Sequence, residues 1–193
     1  MNQRSSNNVS KTRVLKAALK LFSSKGYSGT KMTDIAQEVG LSVGALYLRF
    51  KSKEEVCLEL IKDQTKDFSE FTKSLSSQPP LKALKIYIDT NLEVAFKKKQ
   101  LISLLIKEHD MPFLKPFRKN FLKTQHDIIM DILKAGIKSK DFRPLDIDDT
   151  ALMIFACIRG GILLRLRFET GDEKKMGDSL YDLITKGIRK DTI

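Results

Sequence analysis

A chain of 193 residues, 41% apolar and 31% charged, can bury a sizeable core as one large or two small soluble domains; five prolines, ten glycines and no sustained alternation speak against a β-rich fold. The formal charge of +11 is unevenly placed: residues 1–53 hold ten Lys/Arg against Asp34 and Glu38, while the rest of the chain holds 25 basic and 22 acidic residues. One end is therefore expected to meet a polyanion, and the isolated Cys57 and Cys157, with no CxxC or zinc spacing, argue against a disulfide framework or a structural zinc.

Residues 1–9 read as a disordered polar arm without the apolar stretch of a secretory signal, so a cytoplasmic location is expected. A helix over about 10–25 follows, with Val14, Ala17, Ala18, Leu21 and Phe22 forming an apolar stripe and Gly26 ending it. Two short helices come next, over about 32–39 and 42–50. Ile35, Val39, Leu41 and Leu46 have the spacing that closes a small core between helices crossing steeply, with Ala36 at the closest approach. Gly40 can take the left-handed conformation of the turn, and Ser42 can cap the second helix. This pattern is a helix-turn-helix, and its default function is DNA binding.

Ser52 and Glu55 form a capping box that opens a long helix carrying Val56, Cys57, Leu60, Ile61, Phe68 and Phe71, up to a break at 76–80 that is the best candidate domain boundary. Further helices are predicted over about 80–98, 100–107, 116–139, 147–168 and 173–189. Asp146 and Asp148 are candidate caps of the penultimate helix, and Gly171 breaks the junction after it. Both cysteines fall on predicted buried helix faces. Residues 151–168 are the most apolar stretch, but Arg159, Arg165 and Arg167 interrupt it, so no membrane span is expected.

Docking the second helix of the motif in a major groove gives its residues roles. Ser42 and the free N–H groups beside it can bond a phosphate. Val43, Ala45 and Leu48 would face base edges and touch thymine methyls, and Gly44 lets the backbone approach. Thr33 can reach the sugar–phosphate backbone from the preceding helix. Arg49 and Lys51 are general electrostatic contacts, and Leu46 and Phe50 turn back into the core.

At Gly26-Tyr27, Thr33-Asp34-Ile35-Ala36, Gly40, Leu46-Tyr47, Phe50 and Lys51-Ser52-Lys53-Glu54 the chain closely resembles the tetracycline-repressor (TetR) family of bacterial transcriptional regulators. The resemblance covers roughly residues 10–57. It implies an all-α protein: a three-helix, helix-turn-helix DNA-binding head over 10–52 and a helical-bundle effector-binding and dimerisation body over 53–193. It further implies a homodimer joined largely through the last two helices, and a small molecule that releases the protein from a double-stranded operator. By the same resemblance Tyr47 and Lys53 are phosphate contacts. The chain departs from the family pattern at Lys31, where Ser or Thr is more usual, which weakens the cap of the first motif helix.

The body's apolar wealth is first of all core, and part of it can line a pocket for an apolar or amphipathic effector. Phe96, Leu105, Phe113, Phe117 and Phe121 are candidate lining residues. Arg159, inside a mostly apolar helix, needs an anionic partner. An internal or intersubunit salt bridge is the plainer reading, and an acidic ligand such as a fatty acid or acyl thioester is the other. His109-Asp110 and His126-Asp127 read as helix-end or surface residues rather than metal ligands. No GxGxxG, Walker loop, HExxH, nucleophile elbow or triad is present, so neither catalytic residues nor a cofactor are expected. A sequence-independent DNA-packaging role fits poorly with so weakly charged a body.

Overall fold

The computed structural model describes residues 9–66, 68–108, 111–168 and 172–189; the expectations for residues 1–8, His109-Asp110 and Gly171 lie outside them. Ten α-helices follow in chain order among the described residues. They are α1 (Lys11–Lys25), α2 (Met32–Val39), α3 (Val43–Tyr47), α4 (Lys53–Thr65), α5 (Phe68–Leu75), α6 (Pro80–Lys97), α7 (Lys99–Lys107), α8 (Lys115–Lys138), α9 (Ile147–Phe168) and α10 (Glu173–Ile188). A single 3₁₀ turn, Pro112–Leu114, precedes α8, and no strand occurs among the described residues. The all-α reading holds.

Two compact units divide the chain. The first comprises Met1–Asp67 and Gln100–Leu114, the second Phe68–Lys99 and Lys115–Ile193. In the first, α1 packs on α2 and α4, and α2 on α3. Ser10 caps α1, its hydroxyl accepting from the Arg13 N–H, and the predicted stripe of α1 is buried from Val14 to Phe22. Val14, Phe22, Ile35, Leu46, Val56, Leu60 and Ile61 are almost fully buried. Each such side chain contributes about 1.5–3 kcal/mol on leaving water, so helices too short to stand alone are held by this shared core.

In the second unit α6 lies against α8, α9 and α10, and α9 also packs on α8 and α10. Leu84, Ile88, Leu92, Ile129, Leu133 and Ile158 fill the centre. Gly136 of α8 has a steric purpose: a Cβ there would sit 2.0 Å from the ring of Phe142, which folds back after the helix end and whose N–H donates to the Gly136 carbonyl.

Three expectations change. The helix foreseen from Ser52 through Phe71 stops at Thr65, whose hydroxyl donates back to the Ile61 carbonyl at 2.9 Å, and α5 begins at Phe68. Cys57 is buried, but Cys157 is exposed, because the core face of α9 runs Ala151, Ile154, Ile158, Ile162 and turns Cys157 outward. Asp146 caps α9, its carboxylate accepting from the Asp149 N–H at 3.0 Å. Asp148 lies inside the first turn, 3.4 Å from the His126 ring.

Candidate nucleic-acid interface and effector site

The turn between α2 and α3 is a Schellman motif. Gly40 is left-handed (φ 69°, ψ 32°), its N–H donates to the Gln37 carbonyl at 3.1 Å, and the Leu41 N–H donates to the Ala36 carbonyl at 2.9 Å. Leu41 is buried, which fixes the path of the chain into α3. Ser42 caps α3 from an extended conformation, its hydroxyl accepting from the Ala45 N–H at 3.1 Å. At Lys31 the missing hydroxyl cap is offset from within the helix: the Asp34 carboxylate accepts from the Lys31 N–H at 2.9 Å.

α3 is five residues long, shorter than the span 42–50 read from the sequence; Leu48 is its C-cap, and a turn leads to buried Phe50. Leu46 and Phe50 point into the core. On the outer side Val43 is 37%, Tyr47 49% and Leu48 91% exposed. Ser42, Gly44, Arg49 and Thr33 are exposed as well, and Ala45 is half-buried. Val43, Tyr47 and Leu48 therefore stand in solvent on a helix whose Leu46 is buried.

The charges around this face fall into two groups. Lys11, Lys20 and Lys25 pair with Glu59, Glu38 and Asp34. Among the described residues Arg13, Lys16, Lys31 and Lys51 form no ion pair, so their charge is open to phosphates. The Arg49 guanidinium donates to the Val9 carbonyl, which ties Val9 to the turn that follows α3. Lys53 is held from three directions: its ammonium donates to the Tyr27 carbonyl at 2.7 Å and the Thr30 carbonyl at 2.8 Å, and lies 4.2 Å above the centre of the Tyr27 ring.

Tyr27 is the hub of that arrangement. Its ring meets Phe22 at 5.3 Å and Phe113 at 5.4 Å, and its N–H donates to the Glu108 carboxylate at 3.1 Å. Burial pushes its hydroxyl pKa above the usual value. Glu54, at the start of α4, is held below the usual carboxylate range by its own N–H and by the Ser52 hydroxyl. Burial pushes the nearby Cys57 thiol up to about 12. The tie between Tyr27 and Glu108 is not legible in the sequence, because it spans 81 residues and no local pattern announces it.

The candidate effector residues separate between the units. Leu105 and Phe113 belong to the first, Phe96, Phe117, Phe121 and Arg159 to the second. Of the latter, three come together. Phe117, Phe121 and Gln125 share one face of α8 at four-residue spacing, and Phe155 and Arg159 share one face of α9. The Phe121 ring lies 6.3 Å from that of Phe117 and 6.5 Å from that of Phe155, with the Arg159 guanidinium 5.8 Å from its centre. Among the described residues no carboxylate pairs with Arg159, and burial lowers its pKa. Tyr87 of α6 donates to Gln125 Oε1 at 2.6 Å, and burial raises the Tyr87 pKa. Gln125 is wholly buried, and its Nε2 has no hydrogen-bond partner. Elsewhere in this unit a groove of about 430 Å³ is lined by Leu75, Pro80, Ile128 and Ile132, with Asp127 and Asp131 on one wall.

A helix-turn-helix on a basic unit, its second helix exposing apolar side chains, is the architecture of a DNA-binding domain, and it shares the chain with a second helical unit. The model for bacterial regulatory proteins of the tetR family matches residues 14–60. The chain is 30% identical over 149 residues to the HTH-type transcriptional regulator RutR of Escherichia coli O157:H7, covering 76% of this chain and 70% of that protein. It is 33% identical over 120 residues to the HTH-type transcriptional regulator YerO of Bacillus subtilis, covering 60% of this chain and 42% of that protein. The chain spans less than half the length of the first relatives it matches. The structure of the regulator FadR from B. subtilis in complex with stearoyl-CoA superimposes with a TM-score of 0.80 at 21% identity, over 93% of this chain and all of that one, which shows a shared fold. The protein belongs to the TetR family.

Proposed function

We propose that the protein is a dimeric transcriptional repressor that binds a pseudo-palindromic operator and is released by an apolar or amphipathic effector. The observation that carries this reading is the outer face of α3: Val43, Tyr47 and Leu48 stand in water on a helix whose other side is locked into the head. In the groove Val43, Ala45 and Leu48 meet base edges, Ser42, Thr33 and Tyr47 meet phosphates, and Gly44 admits close approach. Lys53 braces the 27–30 turn and lends its charge to the backbone contact, and Arg49 anchors Val9. Residues 10–52 read DNA, and 53–193 bind effector and partner subunit. Such a protein works as a binder rather than a catalyst, in the cytoplasm where its operator is.

The dimer face is supported by exposed apolar residues on the last two long helices: Leu152, Met153, Leu163 and Leu164 of α9 and Leu183 of α10. Two-fold pairing through them would present two copies of α3 to half-sites one helical turn (or a multiple) apart, roughly 34–36 Å per turn. The effector reading is supported by Phe117, Phe121 and Arg159 coming together, and by the acyl ligand bound to the B. subtilis FadR structure of the same fold. Fluorescence anisotropy with the DNA upstream of the protein's own gene tests the main claim. Salt-sensitive binding with a clear preference over a scrambled duplex is expected; equal affinity for both would refute it, and sedimentation as a monomer would refute the dimer.

A further inference from the structure

We propose that the effector carries an anionic head, a carboxylate or phosphate, received by Arg159 and Gln125 while its apolar tail lies along Phe117, Phe121 and Phe155. The inference rests on the effector reading above and adds to it the sign of the ligand's charge.

The argument is an accounting of donors and acceptors. A partly buried guanidinium presents five N–H donors and no acceptor, and Arg159 has an aromatic ring as its neighbour where a carboxylate would be expected. Buried polar groups are nearly always hydrogen-bonded, and one that is not calls for a reason. Gln125 Nε2 is such a group, while the amide oxygen accepts from the Tyr87 hydroxyl at 2.6 Å. The two side chains share a neighbour. Arg159 lies over Phe121, one helical turn before Gln125, and the Arg159 charge acts on the hydroxyl of Tyr87, the partner of Gln125. Among the described residues neither the Arg159 guanidinium nor Gln125 Nε2 has a protein acceptor, and both are donors.

A group that matches donors only is an anion with several lone pairs. A carboxylate or phosphate can take a forked pair of bonds from guanidinium and a further one from the amide. A cation would meet the repulsion of Arg159, and an alcohol would leave most donors unmatched. The surroundings supply the second half of the ligand's description. Phe117, Phe121 and Phe155 are half-buried and stacked or edge-on to one another, an apolar wall beside the donors. An anionic amphiphile satisfies both halves. The opposite sign belongs to the groove beside α5, whose wall carries Asp127 and Asp131.

Titration calorimetry on the full-length protein, without DNA, uses three probes of one chain length below their micellar concentrations: dodecanoate, dodecyl phosphate and dodecyltrimethylammonium. Both anions are expected to bind and the cation to bind at least tenfold more weakly. Arg159→Met, which keeps the stem and removes the charge, is expected to cost the anions roughly 10–100-fold, the range for charge-assisted hydrogen bonds. Arg159→Lys should restore part of that loss, and Gln125→Leu should weaken both anions while leaving Arg159 in place. Thermal melts report whether each variant folds, and the comparison of probes on the unaltered protein needs no variant. Cation binding equal to or tighter than anion binding, absence of binding by all three probes, or a folded Arg159→Met that binds dodecanoate unchanged would each overturn the proposal. Operator binding is measured separately, so a protein that binds dodecanoate yet stays on its operator refutes effector release and leaves the anion site standing.

Discussion

Leu48→Ala separates recognition from folding more cleanly than any other change in the head. The side chain is 91% exposed and caps the last turn of α3, so its removal deletes almost no buried surface within the chain. Surface changes of this kind stay within about 0.5 kcal/mol of neutral. In a groove the same side chain would be covered by bases and sugar. The change removes three carbons, worth about 0.8 kcal/mol each when fully buried. With partial burial the loss is about 1–2 kcal/mol per half-site, hence about 2–4 kcal/mol for a dimer on a two-fold operator. At about 1.4 kcal/mol per decade, that is roughly a 30- to 1,000-fold rise in Kd. The slope of log K against log salt should not change, because no phosphate contact is lost. Anisotropy titrations at several salt concentrations, beside a urea melt, read all three quantities. A Kd within threefold of the parent protein, or a stability loss of the same size as the binding loss, would refute the placement of Leu48 against bases.

Lys53→Met should behave oppositely to Leu48→Ala in the melt. It leaves the Tyr27 and Thr30 carbonyls without their ammonium partner, so stability should fall by about 1.5–3 kcal/mol along with operator affinity; a binding loss with no stability loss would mean that the contacts to the 27–30 turn carry no weight. Glu59 accepts hydrogen bonds from Lys11 and Lys62, which hold it below its ordinary 4.5. With a depressed folded pKa, its contribution is complete above 4.5 and is lost as pH falls through the lower folded value, so Glu59→Gln should lower stability slightly at neutral pH, leave it almost unchanged below the folded pKa, and flatten the curve between. Ellman's reagent at pH 8 should find the Cys57 thiol inert until unfolding, since burial pushes it up to about 12. Cys157, exposed on the same side of α9 as Met153 and Leu164, should react in dilute monomer and be shielded in the dimer; equal reactivity at all concentrations would place the dimer face elsewhere.

What could be read from the sequence was whatever is encoded within a few residues. The stripe of α1, the Ile35/Val39/Leu41/Leu46 core, Gly40 and the caps Ser42 and Ser52 are local patterns, and the head follows from them. The body helices also appear within a residue or two of their predicted bounds, because prolines and capping aspartates punctuate them. The break between α4 and α5 has no proline or glycine to announce it and stayed hidden. Side-chain partnerships across the fold were the least legible. Lys53 reads as a free phosphate contact until the structure brings the 27–30 turn beneath it. Arg159 stood out as a charge in an apolar helix, but whether a carboxylate met it depended on which residues α6 and α8 carried to the same place. Gln125 could have been noticed, since it continues the Phe117–Phe121 face at four-residue spacing. Its unsatisfied amide is visible only in three dimensions.

If the two proposed sites communicate, linkage sets how much each has to do. A ligand that binds the operator-competent and incompetent states equally releases nothing, however tightly it binds. Lowering operator affinity a hundredfold needs about 2.8 kcal/mol of preference for the incompetent state, shared between two identical subunits as about 1.4 kcal/mol each, or tenfold per site. A single charge-assisted hydrogen bond, worth about 1.5–3 kcal/mol, supplies that difference if Arg159 or Gln125 makes it in only one of the two states. No wholesale refolding of the body is required. Reciprocity then fixes the converse: saturating operator should weaken dodecanoate binding by the same tenfold per site. Calorimetry of dodecanoate with and without the duplex measures this directly. Equal affinities would show that the two sites coexist in one chain without coupling, whatever each binds alone.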